Sequence, residues 1–453
     1  MKLRQGLLFL KSLHTRSKSD EEVLQWIESR RSLVKHTIQQ IDLNKLNGWS
    51  FYDHKIEHKS GKFYQIHFRR NEIGGMEWDQ PIINQPEIGI LGFITKQIDG
   101  VLHFLVQAKI EPGNINIVQL SPTVQSTKSN FTKVHGGALT PFVEYFLKGE
   151  SRILVDQLQS EQASRFFQKR NRNIIIEVED ELSHENYLWM TLGDLVALTR
   201  YPNTVNMDSR TVLSCIHFGS YAFEHLELRD FLGGTQHDSA WIDSLLRKDV
   251  YQKSHPEILS LITDLKFRRE ASTKLIYLSE TRDWNLIDGK IVHKDEKYFD
   301  VVGYRIFIEN RESAQWDQPL IQPKSKGICC FFARKFDGVF HLLVQLKDEI
   351  GSFDGVEMAP TIQMSEENLH LSPFFEQYQN LIDTDSVLFD VMQSEEGGRF
   401  FQEQNRNIII EINEELELPR NYIWMTLNQL KTFLQYNNYV NIQTRSIMSS
   451  LPL

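Results

Sequence analysis

The chain has 453 residues and a formal net charge of −10, and 41% of its residues are hydrophobic and 24% charged. This composition is typical of folded globular proteins and argues against disorder, collagen-like repetition and coiled coil, while the length predicts two or three domains. The negative charge argues against general attraction to nucleic acid or to anionic lipid, so we expect neither partner.

Cysteine usage and the N-terminal residues predict a cytoplasmic location. Cys215, Cys329 and Cys330 are too few for a disulfide framework and lack zinc-ligand spacing, which fits a reducing compartment. The apolar patch at residues 6–10 is shorter than the apolar region of a signal peptide. Since no apolar run approaches the 18 or so residues that span a bilayer, we also expect no membrane association.

The first elements predicted along the chain are a helix and several strands. Apolar residues between Leu24 and Ile41 recur at helical spacing. Alternating or continuous apolar patterns then predict strands over residues 62–68, 88–94 and 101–107. The last of these follows Asp99-Gly100, a hairpin signal that recurs at 337–338.

Further along, the pattern alternates between helices and strands. Residues 156–171 predict a helix that ends before a strand over 174–178. Thr191 is a good N-cap for a second helix, and residues 239–246 have a helical pattern. We therefore predict an α+β fold in which a mixed sheet is flanked by helices.

The chain is an internal duplication. Residues 159–178, QSEQASRFFQKRNRNIIIEV, and 393–412, QSEEGGRFFQEQNRNIIIEI, share 14 of 20 positions, where composition alone predicts about one. Similar offsets relate WDQP at 78–81 and 316–319, YLWMTL at 187–192 and YIWMTL at 422–427, and VNMDSR at 205–210 and VNIQTR at 440–445. The period is too long for a solenoid, so it indicates a duplicated domain.

This duplication predicts the domain organisation: an N-terminal segment at 1–19, a first repeat at 20–215, a connector at 216–254 and a second repeat at 255–453. A unit of about 200 residues can bury its own core, so each repeat is expected to be a complete domain.

Two tryptophans recur in the duplicated motif. Trp78 and Trp316 each stand just before a Gln-Pro pair, at the end of a segment that resembles a strand. An indole fixed there can stack on a nucleobase, a contact worth about 1 to 3 kcal/mol. The alternative is a tryptophan that only covers an edge of the core.

A second recurring group is polar. Ser160, Glu161 and Arg165 return as Ser394, Glu395 and Arg399. On a helix, the serine and the arginine of each repeat would point toward one pyrophosphate. The alternative is that Glu161 and Arg165, four residues apart, form a surface ion pair.

One loop differs between the repeats. Its first copy contains Lys128 and Phe131, which become Glu366 and Leu369 in the second. The shared position is Asn130 in the first copy and Asn368 in the second. A cation and an aromatic ring suit a nucleotide, so the two sites are expected to have diverged.

Familiar catalytic motifs are missing from the sequence. We find no Walker loop, GxGxxG after a strand, HExxH, CxxC or GxSxG. An enzyme with this sequence would therefore work without a motif-bound metal or a redox cofactor.

Taken together, the WDQP motifs, the string from Glu111 to Asn130, QSEQASRFF with NRN, and WMTL followed by VNMDSR resemble the nucleotide-hexose 2,3-dehydratase family of deoxysugar biosynthesis. The resemblance covers both repeats. It implies two Nudix-like domains in tandem, a homodimer and a dTDP-4-keto-6-deoxyglucose substrate. Both repeats lack the Nudix box, so metal-dependent pyrophosphate hydrolysis is not expected.

The resemblance also implies positions for the nucleotide-sugar contacts. In the first repeat these are Trp78, Thr127, Lys128, Ser129, Asn130, Phe131 and Ser160, and in the second Trp316, Glu395, Glu396, Gly397 and Gly398. The recurring polar positions add Arg165, Asn368, Ser394 and Arg399.

The implied reaction is the loss of water across C2 and C3 of a dTDP-4-keto-6-deoxyhexose, with no cofactor and with a ketoreductase acting on the product. It needs a base, an acid and donors for the enolate oxygen. His135, Glu161 and Glu395 are the candidate acids and bases. The alternative is a non-catalytic nucleotide-sugar binding protein with degenerate Nudix-like domains.

Overall fold

A computed structural model of the chain describes residues 2–128, 140–149, 151–219, 239–309 and 314–451. Its helices are α1 (Lys2–Leu13), α2 (Asp20–Ser32), α3 (Glu144–Leu147), α4 (Leu192–Leu198), α5 (Met207–Ser214), α6 (Ser239–Leu246), α7 (His255–Phe267), α8 (Phe375–Leu381), α9 (Leu427–Phe433) and α10 (Ile442–Met448). None of these helices is both long enough and apolar enough to span a bilayer.

Twelve strands lie in each half of the described chain. Those of the first half are β1 (His36–Ile41), β2 (Trp49–Tyr52), β3 (Lys55–His58), β4 (Gln65–Ile73), β5 (Met76–Asn84), β6 (Ile90–Ile98), β7 (Val101–Ile110), β8 (Val118–Ser121), β9 (Val124–Ser126), β10 (Arg152–Ser160), β11 (Arg170–Glu177) and β12 (Tyr187–Thr191). Those of the second half are β13 (Ala271–Ile276), β14 (Trp284–Ile287), β15 (Lys290–His293), β16 (Phe299–Ile308), β17 (Gln315–Pro323), β18 (Gly327–Phe336), β19 (Val339–Asp348), β20 (Val356–Ala359), β21 (Ile362–Ser365), β22 (Val387–Ser394), β23 (Gln404–Glu411) and β24 (Tyr422–Met425).

Each half contains a seven-stranded mixed sheet. In the first half β6 pairs in parallel with β11 and antiparallel with β7 and β9, while β10 and β12 lie at the two ends. In the second half β18 and β23 repeat the parallel pair, with β22 beside β23. The prediction of an α+β fold with two similar halves and mixed sheets flanked by helices is confirmed.

The two repeats exchange strands. β1 of the first repeat pairs with β16 of the second, with His36 opposite Ile308. In return, β13 of the second repeat pairs with β4 of the first, with Ala271 opposite Ile73. The expectation that each repeat is a complete domain on its own is therefore wrong, while the boundaries themselves stay a prediction.

The structure confirms the predictions that rest on local sequence signals, namely the hairpin turns, a helix N-cap and a short helix. Asp99 and Gly100 turn with φ values of 51° and 73°, and the hairpin at 337–338 repeats this geometry. Thr191 caps α4 through a capping box with Asp194. The helical pattern of residues 239–246 corresponds to α6.

Two predicted helices are wrong. The first ends at Ser32, and residues 36–41 form the exchanged strand β1. Residues 156–171 are not a helix but a strand, a loop and the start of another strand, because β10 and β11 pair antiparallel through Ser160 and Arg170. Phe166, in the loop between these strands, packs against Phe400 of the other repeat.

Candidate active site at the joint between the repeats

Two equivalent loops meet where the repeats join. One follows β10 and is closed by the Glu161 amide, which donates to the Lys169 carbonyl over 2.9 Å. The other follows β22 and is closed in the same way by residues 395 and 403. The loop after β10 contacts the turn after β19, and the loop after β22 contacts the turn after β7. We call this region, in which the two loops and the two turns meet, the joint.

A glycine makes each of these contacts possible. The Gly113 amide donates to the Gly397 carbonyl over 2.8 Å, and its carbonyl accepts from the Gln402 amide over 2.7 Å. A Cβ at Gly113 would overlap the Phe400 carbonyl oxygen, and a Cβ at the equivalent Gly351 would overlap first-repeat carbonyls. Any side chain at either position would push the loops apart.

The first polar cluster lies at this joint. We define it as Lys109, Glu111, Glu161, Lys169 and Asp208 from the first repeat with Glu396 and Arg399 from the second. Its anionic members from the first repeat are at most 6% exposed, whereas Glu396 and Arg399 are partly exposed. The cluster is therefore buried on one side and accessible on the other.

Hydrogen bonds fix the first-repeat carboxylates. The Asn171 amide donates to Glu161 Oε1 over 2.7 Å, and the Gln125 amide donates to Glu111 Oε1 over 2.9 Å. Glu111 Oε2 has no hydrogen-bond partner among the described residues. A methyl group placed on Gly398 would lie 2.8 Å from Glu396 Oε1 and 3.5 Å from Glu111 Oε1, so these two carboxyl groups converge.

The protonation of the cluster departs from that of exposed carboxyl groups. Burial raises the pKa of Glu396 to about 7, and the nearby Glu111 and Glu161 add to the effect. Burial also raises the pKa of Glu161, and raises that of Asp208 well above its ordinary value. Burial lowers the pKa of Lys169. With a pKa near 7, the Glu396 carboxyl group exchanges its proton near neutral pH.

The equivalent second polar cluster is built differently. We define it as Lys347, Glu349, Glu395 and Glu403 from the second repeat with Arg165 from the first. Burial and the neighbouring Glu403 raise the pKa of Glu395 to about 8. At matching positions of the duplicated motifs, the first cluster has Lys169, Asp208 and Glu396 where the second has Glu403, Gln443 and Gln162.

The two predicted arginines lie on equivalent aromatic rings. The Arg399 guanidinium is 4.2 Å from the ring centre of Tyr64, and that of Arg165 is 4.4 Å from the ring centre of Phe299. Arg165 also lies 4.0 Å from Glu403. The predicted ion pair between Glu161 and Arg165 is wrong, because Glu161 is buried in the other cluster.

Both predicted serines face the opposite repeat. Ser160 Oγ donates to Glu357 Oε2 over 2.6 Å, and Ser394 Oγ donates to Gln119 Oε1 over 2.9 Å. Each serine is 1% exposed. The predicted helix that would aim a serine and an arginine at one pyrophosphate is therefore wrong, since the serines end strands, the arginines lie in the loops that follow, and the serine hydroxyl groups bind the opposite repeat.

The two predicted tryptophans have the same environment. Trp78 lies in β5 and donates to Gln80 Oε1 over 2.9 Å, and Trp316 lies in β17 and donates to Gln318 Oε1 over 3.0 Å. Each glutamine in turn donates to a loop carbonyl, that of Ser164 or that of Gly398. Each indole is partly exposed and is linked through one residue to a loop of the joint.

Four of the remaining predicted residues lie in the described part of the chain. Thr127 lies beside Gly89, which also contacts Asn171 and so connects this loop to Glu161. Lys128 is exposed, and the Asn368 amide donates to Ser365 Oγ over 3.1 Å. Gly397 packs tightly on Asn114. The predicted residues outside the described part of the chain are Ser129, Asn130, Phe131 and His135.

Sequence reasoning missed four members of the first polar cluster. Lys109 and Glu111 recur as Lys347 and Glu349, so comparison of the repeats contained the signal. Lys169 and Asp208 lie inside the duplicated motifs but are replaced in the second copy, so the polar positions shared by the repeats do not include them.

In the part of the chain that the structure describes, no group of three or more His, Cys, Asp or Glu side chains is arranged to hold a metal ion.

The fold and the joint define a duplicated α+β protein with a partly accessible acid–base cluster shared by its two repeats. The sequence model of the NDP-hexose 2,3-dehydratase family matches residues 20–216 and 255–451. The chain therefore belongs to this family, as the shared motifs predicted.

Three relatives are similar over nearly their whole length, and each is named a dTDP-4-dehydro-6-deoxy-alpha-D-glucopyranose 2,3-dehydratase. The protein from Saccharopolyspora spinosa is 38% identical over 94% of this chain and 90% of its own length. The Amycolatopsis orientalis protein is 36% identical over 95% of this chain and 90% of its own. The Streptomyces violaceoruber protein is 36% identical over 94% of this chain and 95% of its own.

Proposed function

We propose that this chain is a lyase that removes water across C2 and C3 of dTDP-4-keto-6-deoxyglucose to give the dTDP-3,4-diketo-2,6-dideoxy sugar. The three relatives named for action on this sugar support the substrate. The observation that carries the chemistry is the convergence of Glu396 and Glu111 in a cluster where burial raises the pKa of Glu396 to about 7. A group with that pKa exchanges protons readily at neutral pH.

In the proposed reaction Glu396 is the base and Glu161 the acid. The C4 ketone acidifies the C3 proton, which Glu396 removes to form an enolate. The C2–O bond then breaks, and Glu161, whose pKa burial raises, supplies the proton with which the hydroxyl leaves as water. The resulting C2–C3 enol takes a proton at C2, loses the proton of its C3 hydroxyl and becomes the 3-ketone. Lys169 and Arg399 stabilise the negative charge on the enolate oxygen.

We place the reacting sugar at the first polar cluster and the nucleotide toward the partly exposed residues around it. Trp78, Trp316, Thr127 and Lys128 stay our proposed nucleotide contacts, as do Ser129, Asn130, Phe131 and Asn368. Arg165, Glu395, Gly397 and Gly398 line the joint and are proposed substrate contacts. Ser160 and Ser394 are proposed to hold the loops that carry the site, and His135 stays a candidate proton donor.

The proposed setting has four further parts: the fold of each half, the cellular location, the assembly and the enzyme that uses the product. Each half is Nudix-like in fold, and the chain acts in the cytoplasm on a soluble nucleotide sugar. Two chains form a symmetric homodimer, which light scattering should show as a mass of about 106 kDa, twice that of the 53.1 kDa chain. Because the product has adjacent ketones, a ketoreductase is its natural consumer.

The test is turnover of dTDP-4-keto-6-deoxyglucose in D₂O, with an added ketoreductase to trap the product. We expect a 2-deoxy sugar product and loss of the C3 proton, both followed by mass spectrometry and NMR. Tight binding of the sugar nucleotide by folded protein without product or C3 exchange would refute the lyase and support the non-catalytic binding protein.

A further inference from the structure

Side chains of the second repeat bind Ser160, the first-repeat residue that directly precedes the proposed acid Glu161. Ser160 ends β10, directly before Glu161, and its carbonyl oxygen accepts a hydrogen bond from the Arg445 guanidinium of α10. Its hydroxyl donates to Glu357 Oε2 over 2.6 Å. The hydroxyl and the carbonyl of Ser160 are therefore both bound by the other half of the chain.

Arg445 is fully buried, and its contacts explain how it is tolerated there. Its Nε donates to Thr211 Oγ1 over 2.6 Å, and its Nη1 donates to the Val440 carbonyl over 2.6 Å. A buried guanidinium is costly unless all sides of its planar fork are bonded. This fork therefore links α10 of the second repeat to α5 and to the end of β10 in the first repeat.

We propose that Arg445 is a positioning residue that fixes Glu161 for proton donation through the Ser160 carbonyl. The inference rests on the proposed function. It assigns to a buried residue of the second repeat a role in chemistry at a first-repeat carboxyl group.

The charge of Arg445 also acts on Glu161. Burial raises the pKa of Glu161, and Arg445 is first among the charges that oppose this rise. The other charged groups that face Glu161 are Lys169, Arg399, Glu395, Glu396 and Asp208. An acid must be protonated to act, so removal of the Arg445 charge should move the alkaline limb of the kcat profile to higher pH.

The experiment compares R445K, R445Q and K431Q. Lys431 is a matched control because it is also a buried second-repeat cation that donates to a first-repeat carbonyl, that of Ser214. We expect R445K to lower kcat at least tenfold with KM changed less than threefold, and to keep the alkaline limb in place. R445Q should move that limb to higher pH, whereas K431Q should leave it unchanged.

A purely structural role predicts another pattern. If all three variants lose kcat in proportion to their loss of melting temperature and keep the wild-type pH profile, the inference is wrong. If the wild type does not turn over, the proposed function fails but the positioning role can still be measured. In that case the Glu161 carboxyl is titrated by ¹³C NMR, assigned by its loss in E161Q, and an R445Q titration identical to that of wild type would overturn the inference.

Discussion

Phe166 and Phe400, the same residue of the two repeats, meet edge to face with ring centroids 5.7 Å apart and an interplanar angle of 85°. Both are buried. Each lies in a loop that carries a candidate catalytic carboxyl group, so this contact joins the two loops. The duplication therefore has a structural consequence at the site, where each half completes the other.

The phenylalanine pair should stabilise the whole chain. We expect F166A and F400A each to lower the free energy of unfolding by about 3 to 5 kcal/mol, as for other buried phenylalanines. The double variant should lose less than the sum, with a coupling of about 0.5 to 1.5 kcal/mol. Urea unfolding of the four proteins measures this cycle, and strict additivity would mean that the rings do not interact.

The exchanged strands should make the repeats depend on each other. A fragment that ends at residue 219 lacks β13, and one that begins at 239 lacks β1, so each leaves a sheet edge unpaired. We expect the separate fragments to aggregate or melt early, and to form a stable one-to-one complex when co-expressed. Two fragments that each melt as cooperatively as the full chain would contradict this expectation.

Glutamine variants should separate the proposed base from the proposed acid. E396Q should lower kcat by about 10² to 10⁴ and abolish exchange of the C3 proton in D₂O. E161Q should lower kcat similarly but keep C3 exchange, since deprotonation precedes loss of the hydroxyl. E395Q, in the second polar cluster, should lose less than tenfold. Equal loss of exchange in all three variants would refute these assignments.

The buried Glu395 should make stability depend on pH. Burial raises its pKa from 4.5 to about 8, so between these values the folded state keeps a proton that the unfolded state has lost. The free energy of unfolding therefore falls as pH rises from about 5 to 8, because the folded state must either keep this proton or bury a charged carboxylate. We expect E395Q to show a smaller loss over that range than wild type in urea unfolding. The exposed Glu376 provides the control, E376Q, which should follow wild type.

The two tryptophans should contribute unequally to turnover. Trp316 donates to Gln318, which donates to the Gly398 carbonyl beside the proposed base Glu396. Trp78 donates to Gln80, which donates to the Ser164 carbonyl beside Arg165 of the second polar cluster. We therefore expect W316A to reduce kcat more than W78A. Both should weaken dTDP binding, which calorimetry measures, and equal effects on kcat and binding would indicate two equivalent sites.

The duplication, the mixed α+β class and the family could all be predicted from the order of the amino acids. The same order also determined elements with a local cause, since Asp99-Gly100 needs positive φ values and Thr191 satisfies the free amides of a helix N-terminus. These signals depend on identity at fixed spacing or on a few neighbouring residues. They can be read without knowing where the rest of the chain lies.

The way in which the repeats combine depends on contacts between residues far apart in the sequence, so it is seen in the folded chain alone. The helical spacing of apolar residues through 156–171 was overridden by pairing of β10 with β11, because a strand buried in a mixed sheet and a buried helix share an apolar composition. Glu161 was predicted from the sequence, but its neighbours Glu396 and Arg399 lie more than 230 positions away. The exchange of β1 and β13 and the contact of two loops across the joint bring them together, and burial there shifts their pKa values.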